Sequence, residues 1–332
     1  MKRNPSIELY RIFLMLGICT LHAVYATLGS FHWLNTGLLW CVDGFVFITG
    51  YFGCRFDWRK VVRLELTALW CGIIIATGWW LFARSGICSA AWLQRVGFSD
   101  IPNWGFCGYA YAVRGALNAW FLTAYVLMLC LVPLVNLALD AALDGGRQGL
   151  KVVVPILAAV FGWGLSMELP VLHRWIPRAA GLGSFTALTL LSCYICGRLF
   201  RHYETRIRIK TPTLFVALVL LLVIDTLGYG WLGHYTSPFA VLTAAVVFML
   251  FQRVHVGPKA ACFILMLSPS MFAVYLLSGF RARFDMMAWI VDQIKVGPRP
   301  VACVISGVAV FIVCCIVDIP RRVFARCIRN VV

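Results

Sequence analysis

The stretch IELYRIFLMLGICTLH, residues Ile7 to His22, decides the class of fold. Ten uncharged residues run from Ile12 to Leu21, and Ala23, Val24 and Tyr25 extend them. An apolar run over 7–28 crosses a hydrocarbon layer, which needs about 20 residues in helical form. Glu8, Arg11 and His22 nevertheless sit inside it. Comparable runs recur over 34–54, 62–83, 118–138, 152–167, 179–200, 213–232, 237–252, 260–280 and 300–319. Of the 332 residues 62% are hydrophobic and 13% charged, and the mean hydropathy is +0.87. A soluble domain carries about 25% charged residues, and disorder requires low hydrophobicity. In lipid each spanning segment must satisfy its own backbone, so apolar runs become helices. The expectation is an all-α fold: a polytopic membrane bundle of about ten transmembrane helices, forming a single domain over 1–332 with a short basic tail at 320–332.

Lys and Arg number 29 against 13 Asp and Glu, a net charge of +16. With no helix-turn-helix, zinc-finger or RNA-binding signature, nucleic acid is not an expected partner; membrane lipid is. If the N-terminus is cytoplasmic, the basic residues favour the inner loops over the outer by roughly two to one, as cytoplasmic loops do. Arg55, Arg59, Lys60, Arg63, Arg198, Arg201, Arg206, Arg208, Lys210, Arg321 and Arg322 all fall inside. Both termini are therefore expected in the cytoplasm, in a multi-pass protein of the inner (plasma) membrane. A competing reading makes residues 1–26 a cleaved leader, with Val24-x-Ala26 as the processing site. Glu8 and Arg11 between the basic start and the apolar core argue against it.

Most of the 14 cysteines lie in apolar runs, where a thiol packs as a small hydrophobe. Cys193 and Cys196 form a C-x-x-C without a second pair or histidines, so no metal site is expected. Cys88 and Cys107 share the polar, aromatic-rich connection 84–117 and can pair if it is extracytoplasmic.

Ionisable residues within spans are costly, and each is a candidate functional group. Arg11 and His22 are eleven residues apart, which at 100° each is about 20° beyond three full turns, so they share a face roughly 16 Å apart along the axis. Glu8 lies one turn before Arg11. The alternatives are an interfacial Glu8–Arg11 ion pair and a packed histidine. Asp43 can orient an imidazole or bond a helix end. Asp225 reads as an interhelical hydrogen-bonding group. Arg59, Lys60 and Arg63 form a basic cluster that either marks the cytoplasmic side or clamps the phosphates of a nucleotide-like donor.

Several segments resemble the integral-membrane acyltransferase family 3. Ile7 to His22 is similar to its opening helix, with an acid three residues before an Arg and a His eleven after it. VDGFVFITGYF, Val42 to Phe52, resembles its F-x-x-S-G-Y/F motif, with Thr49 in place of Ser. FDWRKVVRL (Phe56 to Leu64), AWFLTAYVLMLCLVP (Ala119 to Pro133) and SPSMFAVYLLSG (Ser268 to Gly279) resemble its third-span start, its W-F/Y-L-x-x-Y helix and a late span. Ser278 stands where that late span often has His. The resemblance implies transfer of an acyl group, usually acetyl, from cytoplasmic acyl-CoA to a hydroxyl of an extracytoplasmic glycan. It implies a site with His22 as general base beside Glu8. Arg11, Arg59 and Arg63 bind acyl-CoA; Asp43, Thr49, Gly50 and Tyr51 form the second-span motif; Trp120 and Tyr125 face the acceptor. Acyl-CoA is then a co-substrate, with no permanently bound cofactor. No Gly-x-Ser-x-Gly elbow supports a serine nucleophile. An exporter of polysaccharide or lipid-linked sugar, or a non-catalytic assembly protein, stays open as an alternative. On topology, cysteine labelling is expected to place 84–117 outside and 201–212 inside. A periplasmic C-terminus, or a mature chain starting at Thr27, contradicts it.

Overall fold

The computed structural model describes residues 3–29, 32–85, 120–145, 147–168, 186–227, 235, 237–279, 281–295 and 297–324. Every regular element among them is helical. They are α1 (Pro5–Thr27), α2 (Trp33–Thr36), α3 (Trp40–Phe52), α4 (Trp58–Arg84), α5 (Trp120–Asp144), α6 (Arg147–Glu168), α7 (Ala187–Tyr203), α8 (Thr211–Leu227), α9 (Pro238–Gln252), α10 (Pro258–Leu267), α11 (Met271–Ser278), α12 (Arg281–Gln293) and α13 (Arg299–Val317). Single 3₁₀ turns follow α7 (Glu204–Arg206) and join α10 to α11 (Ser268–Ser270). The connection 84–117 beyond Ser85, both Cys88 and Cys107, and most of the basic tail lie outside the described residues.

Five segments are long and apolar enough to cross a membrane: Pro5–Thr27, Trp58–Gly78, Trp120–Asp144, Pro258–Ser278 and Arg299–Phe324. Shorter apolar helices, Thr211–Leu227 and Pro238–Gln252, accompany them. Large apolar side chains face outward on α5, α8 and α13; Leu137 is 72% and Leu227 77% exposed. Such a surface suits lipid rather than water. The chain is a multi-pass membrane protein.

Two expected spans take a different form. The run 34–54 divides into α2 and the 13-residue α3, and Gly53, at φ +69°, ends α3. The run 260–280 is broken because Pro269 offers no N–H to the carbonyl of Leu265 and its ring crowds the preceding turn.

Chain order does not set centrality. The most apolar window of α1 is 67% buried, against 28% for α4 and 22% for α5. Asn4 caps α1, its side-chain oxygen accepting from the Ser6 N–H at 3.0 Å. Around α1 pack α3, α9, α10, α11, α12 and α13, closing on Tyr10, Leu14, Met15 and Ile18. The helices approach where a side chain is missing. A Cβ on Gly50 would come 2.1 Å from the Tyr194 carbonyl oxygen, and one on Gly197 2.3 Å from that of Phe47, so α3 and α7 cross backbone to backbone. Small residues permit this contact in membranes. Further along the same pair, Tyr194 Oη donates to Asn136 Oδ1 at 2.8 Å, and Asn136 Nδ2 donates to the Cys54 carbonyl at 2.9 Å, tying in α5.

Gly50→Ala places its methyl against immovable backbone, so a loss of at least 1–3 kcal/mol, about the usual cost of overpacking, is expected. Gly78→Ala meets nothing within 4 Å. Thermal melting in detergent should show the first lowering Tm or removing folded protein, and the second leaving Tm unchanged.

Candidate active site

The sequence of α1 places Arg11, Met15, Ile18 and His22 at steps of four, three and four residues, one continuous stripe of a helix. The first three line a cavity of about 280 Å³ enclosed by α1, α3, α4, α5 and the broken span. Three cations line the same cavity: Arg3, Arg11 and Lys60. Arg11 is held by the Glu8 carboxylate at 3.1 Å, with Glu8 itself buried. On the opposite wall Lys60 Nζ donates to Tyr125 Oη at 3.4 Å and to Cys54 Sγ at 3.3 Å. The Lys60 ammonium also lies 5.5 Å from the centre of the Tyr125 ring. Thr49 Oγ1 donates to the Phe45 carbonyl at 3.0 Å, which leaves its oxygen to accept from Tyr125 Oη at 3.5 Å. Lys60, Tyr125 and Thr49 thus form a polar chain along one side of an otherwise apolar and aromatic space, where Phe121 stacks on Tyr125.

His22 stands one helical turn beyond Ile18. Its Nδ1 lies 3.2 Å from Ser278 Oγ, and that hydroxyl donates to the Tyr275 carbonyl at 3.3 Å. The direction of the His22–Ser278 bond follows the tautomer: with the hydroxyl proton on the Tyr275 carbonyl, Nδ1–H donates and Nε2 is the basic nitrogen. Tyr275 lines the cavity and contacts the imidazole, ring centres 6.2 Å apart. A Cβ on Gly279 would lie 3.0 Å from His22 Cε1, so only glycine leaves that edge of the ring uncrowded. The arrangement sets three cations around an apolar, aromatic cavity, with His22 one helical turn beyond the last α1 residue that lines it.

The sequence of residues 4–319 matches a family described as an acyltransferase domain. The chain belongs to acyltransferase family 3. No curated protein and no solved structure gives a significant match.

In this acyltransferase the expected site residues are not all together. Arg11, Thr49 and Tyr125 share the cavity. Glu8, expected beside His22, lies fourteen residues before it, about 21 Å along the axis, and binds Arg11 instead. Arg59 and Arg63 are not cavity residues. The Arg59 N–H donates to Asp57 Oδ1 at 2.9 Å, and the Arg63 side chain is 72% exposed, 3.7 Å from Asp57 Oδ2. Lys60, between them, turns inward, as a single helical position in a basic triplet can. Asp43 is fully buried but accepts from Cys193 Sγ at 3.6 Å, while Ser278 holds the His22 Nδ1. Asp225 accepts from Thr243 at 3.4 Å, the interhelical bond expected of it. Trp120 packs on Tyr235, ring centres 5.3 Å apart, outside the cavity lining; burial pushes the Tyr235 phenol up, keeping it neutral.

Gly50 is the α3–α7 contact already described. Tyr51 belongs to a separate lock: its hydroxyl donates to Glu204 Oε2 at 2.7 Å and accepts from Arg201 Nη1 at 2.9 Å and Gln252 Nε2 at 3.1 Å. Sequence reading missed Ser278 as a histidine partner and Lys60 as a cavity cation; the only signal for Ser278 was its position in the late-span motif. For Tyr51→Phe, which strands two donors and one carboxylate, a stability loss of about 1–3 kcal/mol is expected. Denaturation in detergent checks it, and activity per folded molecule should change far less than at His22.

Proposed function

We propose that this acyltransferase moves a short acyl group, acetyl in the simplest case, from cytoplasmic acyl-CoA to a hydroxyl of an extracytoplasmic glycan at the inner (plasma) membrane. The observation that carries this reading is the α1 stripe: a cavity cation at Arg11 and an imidazole at His22 bonded to Ser278 stand about 16 Å apart on one helix face, with cavity-lining Met15 and Ile18 between them. Arg11, Lys60 and Arg3 supply the positive charge for donor phosphates. A thin pantetheine arm suits a cavity of about 280 Å³, smaller than the usual range for drug-sized ligands and far from the width of a glycan passage.

The chemistry follows from the arrangement. A sugar hydroxyl is a weak nucleophile at neutral pH. His22 Nε2 takes its proton as the oxygen attacks the thioester carbonyl. The tetrahedral oxyanion collapses, the carbon–sulfur bond breaks, and the imidazolium returns the proton to the departing CoA thiolate. No acyl-enzyme is needed. Glu8 acts on Arg11 and not on the proton: it fixes the guanidinium at the cavity. Ser278 acts by holding the imidazole.

For His22→Ala, acetyl incorporation per folded protein is expected to fall roughly 10²–10⁴-fold. His22→Gln keeps the polar contact to Ser278 but cannot accept a proton, and should be nearly as inactive. Near-normal incorporation in both removes His22 from the mechanism. For Lys60→Gln the apparent KM for acyl-CoA should rise about 10-fold or more, the worth of one charge-assisted contact. The rise should exceed that for Arg63→Gln; the reverse order returns the phosphate clamp to the exposed arginines.

A further inference from the structure

The late span kinks at the cavity. Pro269 ends α10, the 3₁₀ turn Ser268–Ser270 follows, and α11 begins at Met271. Ser268, Pro269 and Met271 all line the cavity that Arg11 and Lys60 line. Ser268 is 93% buried by its 7% exposure and Ser270 fully so, yet neither hydroxyl oxygen has a hydrogen-bond partner among the described residues. An uncommitted polar group in a bilayer is expensive unless a ligand completes it.

The depth of the kink follows from the contact at the other end of α11. α11 ends at Ser278, which meets His22. Stepping back along α11 at about 1.5 Å per residue and through the 3₁₀ turn at about 2 Å per residue sets Ser268 roughly 16 Å from the histidine level. Arg11 lies the same distance from His22 along α1, and the 3₁₀ turn packs on α1. The backbone stays right-handed helical through the turn, the Met271 N–H bonding the Ser268 carbonyl, so the groups left without a partner are the two serine hydroxyls. Glu8 offsets the charge of Arg11. The partners of Lys60 are a thiol and a phenol, and no carboxylate pairs with it among the described residues.

We propose that the kink is a diphosphate subsite: Ser268 Oγ, with Arg11 and Lys60, holds the diphosphate group of a substrate inside the cavity. The inference rests on the donor reading above, in which the diphosphate is that of acyl-CoA and the arm spans the distance to His22. A lipid-linked sugar carries the same group, and the experiment separates the two.

The full chain in proteoliposomes is assayed with acetyl-CoA and with S-acetylpantetheine, which has the thioester but no diphosphate. Ser268→Ala is expected to shrink the preference for acetyl-CoA, measured as the ratio of the two kcat/KM values, about 10-fold, the worth of a hydrogen bond to a charged group. Ser268→Thr, which keeps the hydroxyl, should restore it. A preference unchanged by Ser268→Ala, or lost equally in the Thr variant, overturns the donor subsite, since damage to folding lowers both substrates together. Inhibition by a short prenyl diphosphate is measured in parallel. If Ser268→Ala weakens only that inhibition, the diphosphate is the acceptor lipid's. If it weakens neither, there is no subsite. A wild-type chain that transfers from neither thioester removes the donor reading, and the prenyl diphosphate arm then decides the subsite alone.

Discussion

Charge in hydrocarbon is the constraint from which the rest of this structure follows. A helix bearing a glutamate, an arginine and a histidine within fifteen positions cannot lie against lipid at bearable cost. It must be surrounded, and α1 is: α2, α3 and α9 to α13 pack on it, while α4 and α5 keep most of their own surface outward. The same enclosure sets Glu8 against Arg11 and His22 against Ser278. Burial that the bilayer demands also keeps water away from these polar groups, a condition that group-transfer chemistry uses to avoid hydrolysis.

Around that centre, closeness depends on missing side chains. α3 and α7 meet through Gly50 and Gly197, and α1 meets α13 where a Cβ on Gly307 would lie 2.5 Å from Thr20 Oγ1. Lipid supplies little hydrophobic drive for helix association, so shape at these crossings stands in for it. Polar locks complete the fit. Asp318, fully buried, accepts from Arg321 at 2.6 and 2.9 Å, and Arg322 lies beside it while donating to the Met266 carbonyl at the end of α10.

Much of this was legible in the residues alone, and what was not has physical reasons. The helical, membrane-spanning class follows from runs such as Ile12 to Leu21, because lipid leaves the backbone no other choice. The stripe joining Arg11 to His22 follows from 3.6 residues per turn. Helix lengths were less legible: hydropathy over 34–54 does not register that Gly53 takes positive φ, nor that α3 spans only Trp40–Phe52. Partnerships were least legible. Which member of Arg59, Lys60 and Arg63 turns inward depends on the roll of α4 against α5, a tertiary fact. Tyr51 sits beside Gly50 in one motif yet serves a different purpose, because adjacent helical residues point about 100° apart.

The contact between α1 and α13 joins the first described helix to the last. Translation delivers them in that order, at about 5–20 residues per second, so for most of synthesis α1 waits in the bilayer without the partner that closes over Thr20. During that interval the face of α1 at Thr20 has no cover, while Glu8 and Arg11 moderate each other's cost three residues apart on one helix. A ribosome that stops before Arg299 leaves a chain whose first described helix is inserted but uncovered on that face, which stays open to neighbouring proteins. Quality-control proteases in the membrane would meet this chain as an orphan subunit, and the completed α13 is what removes it from their reach.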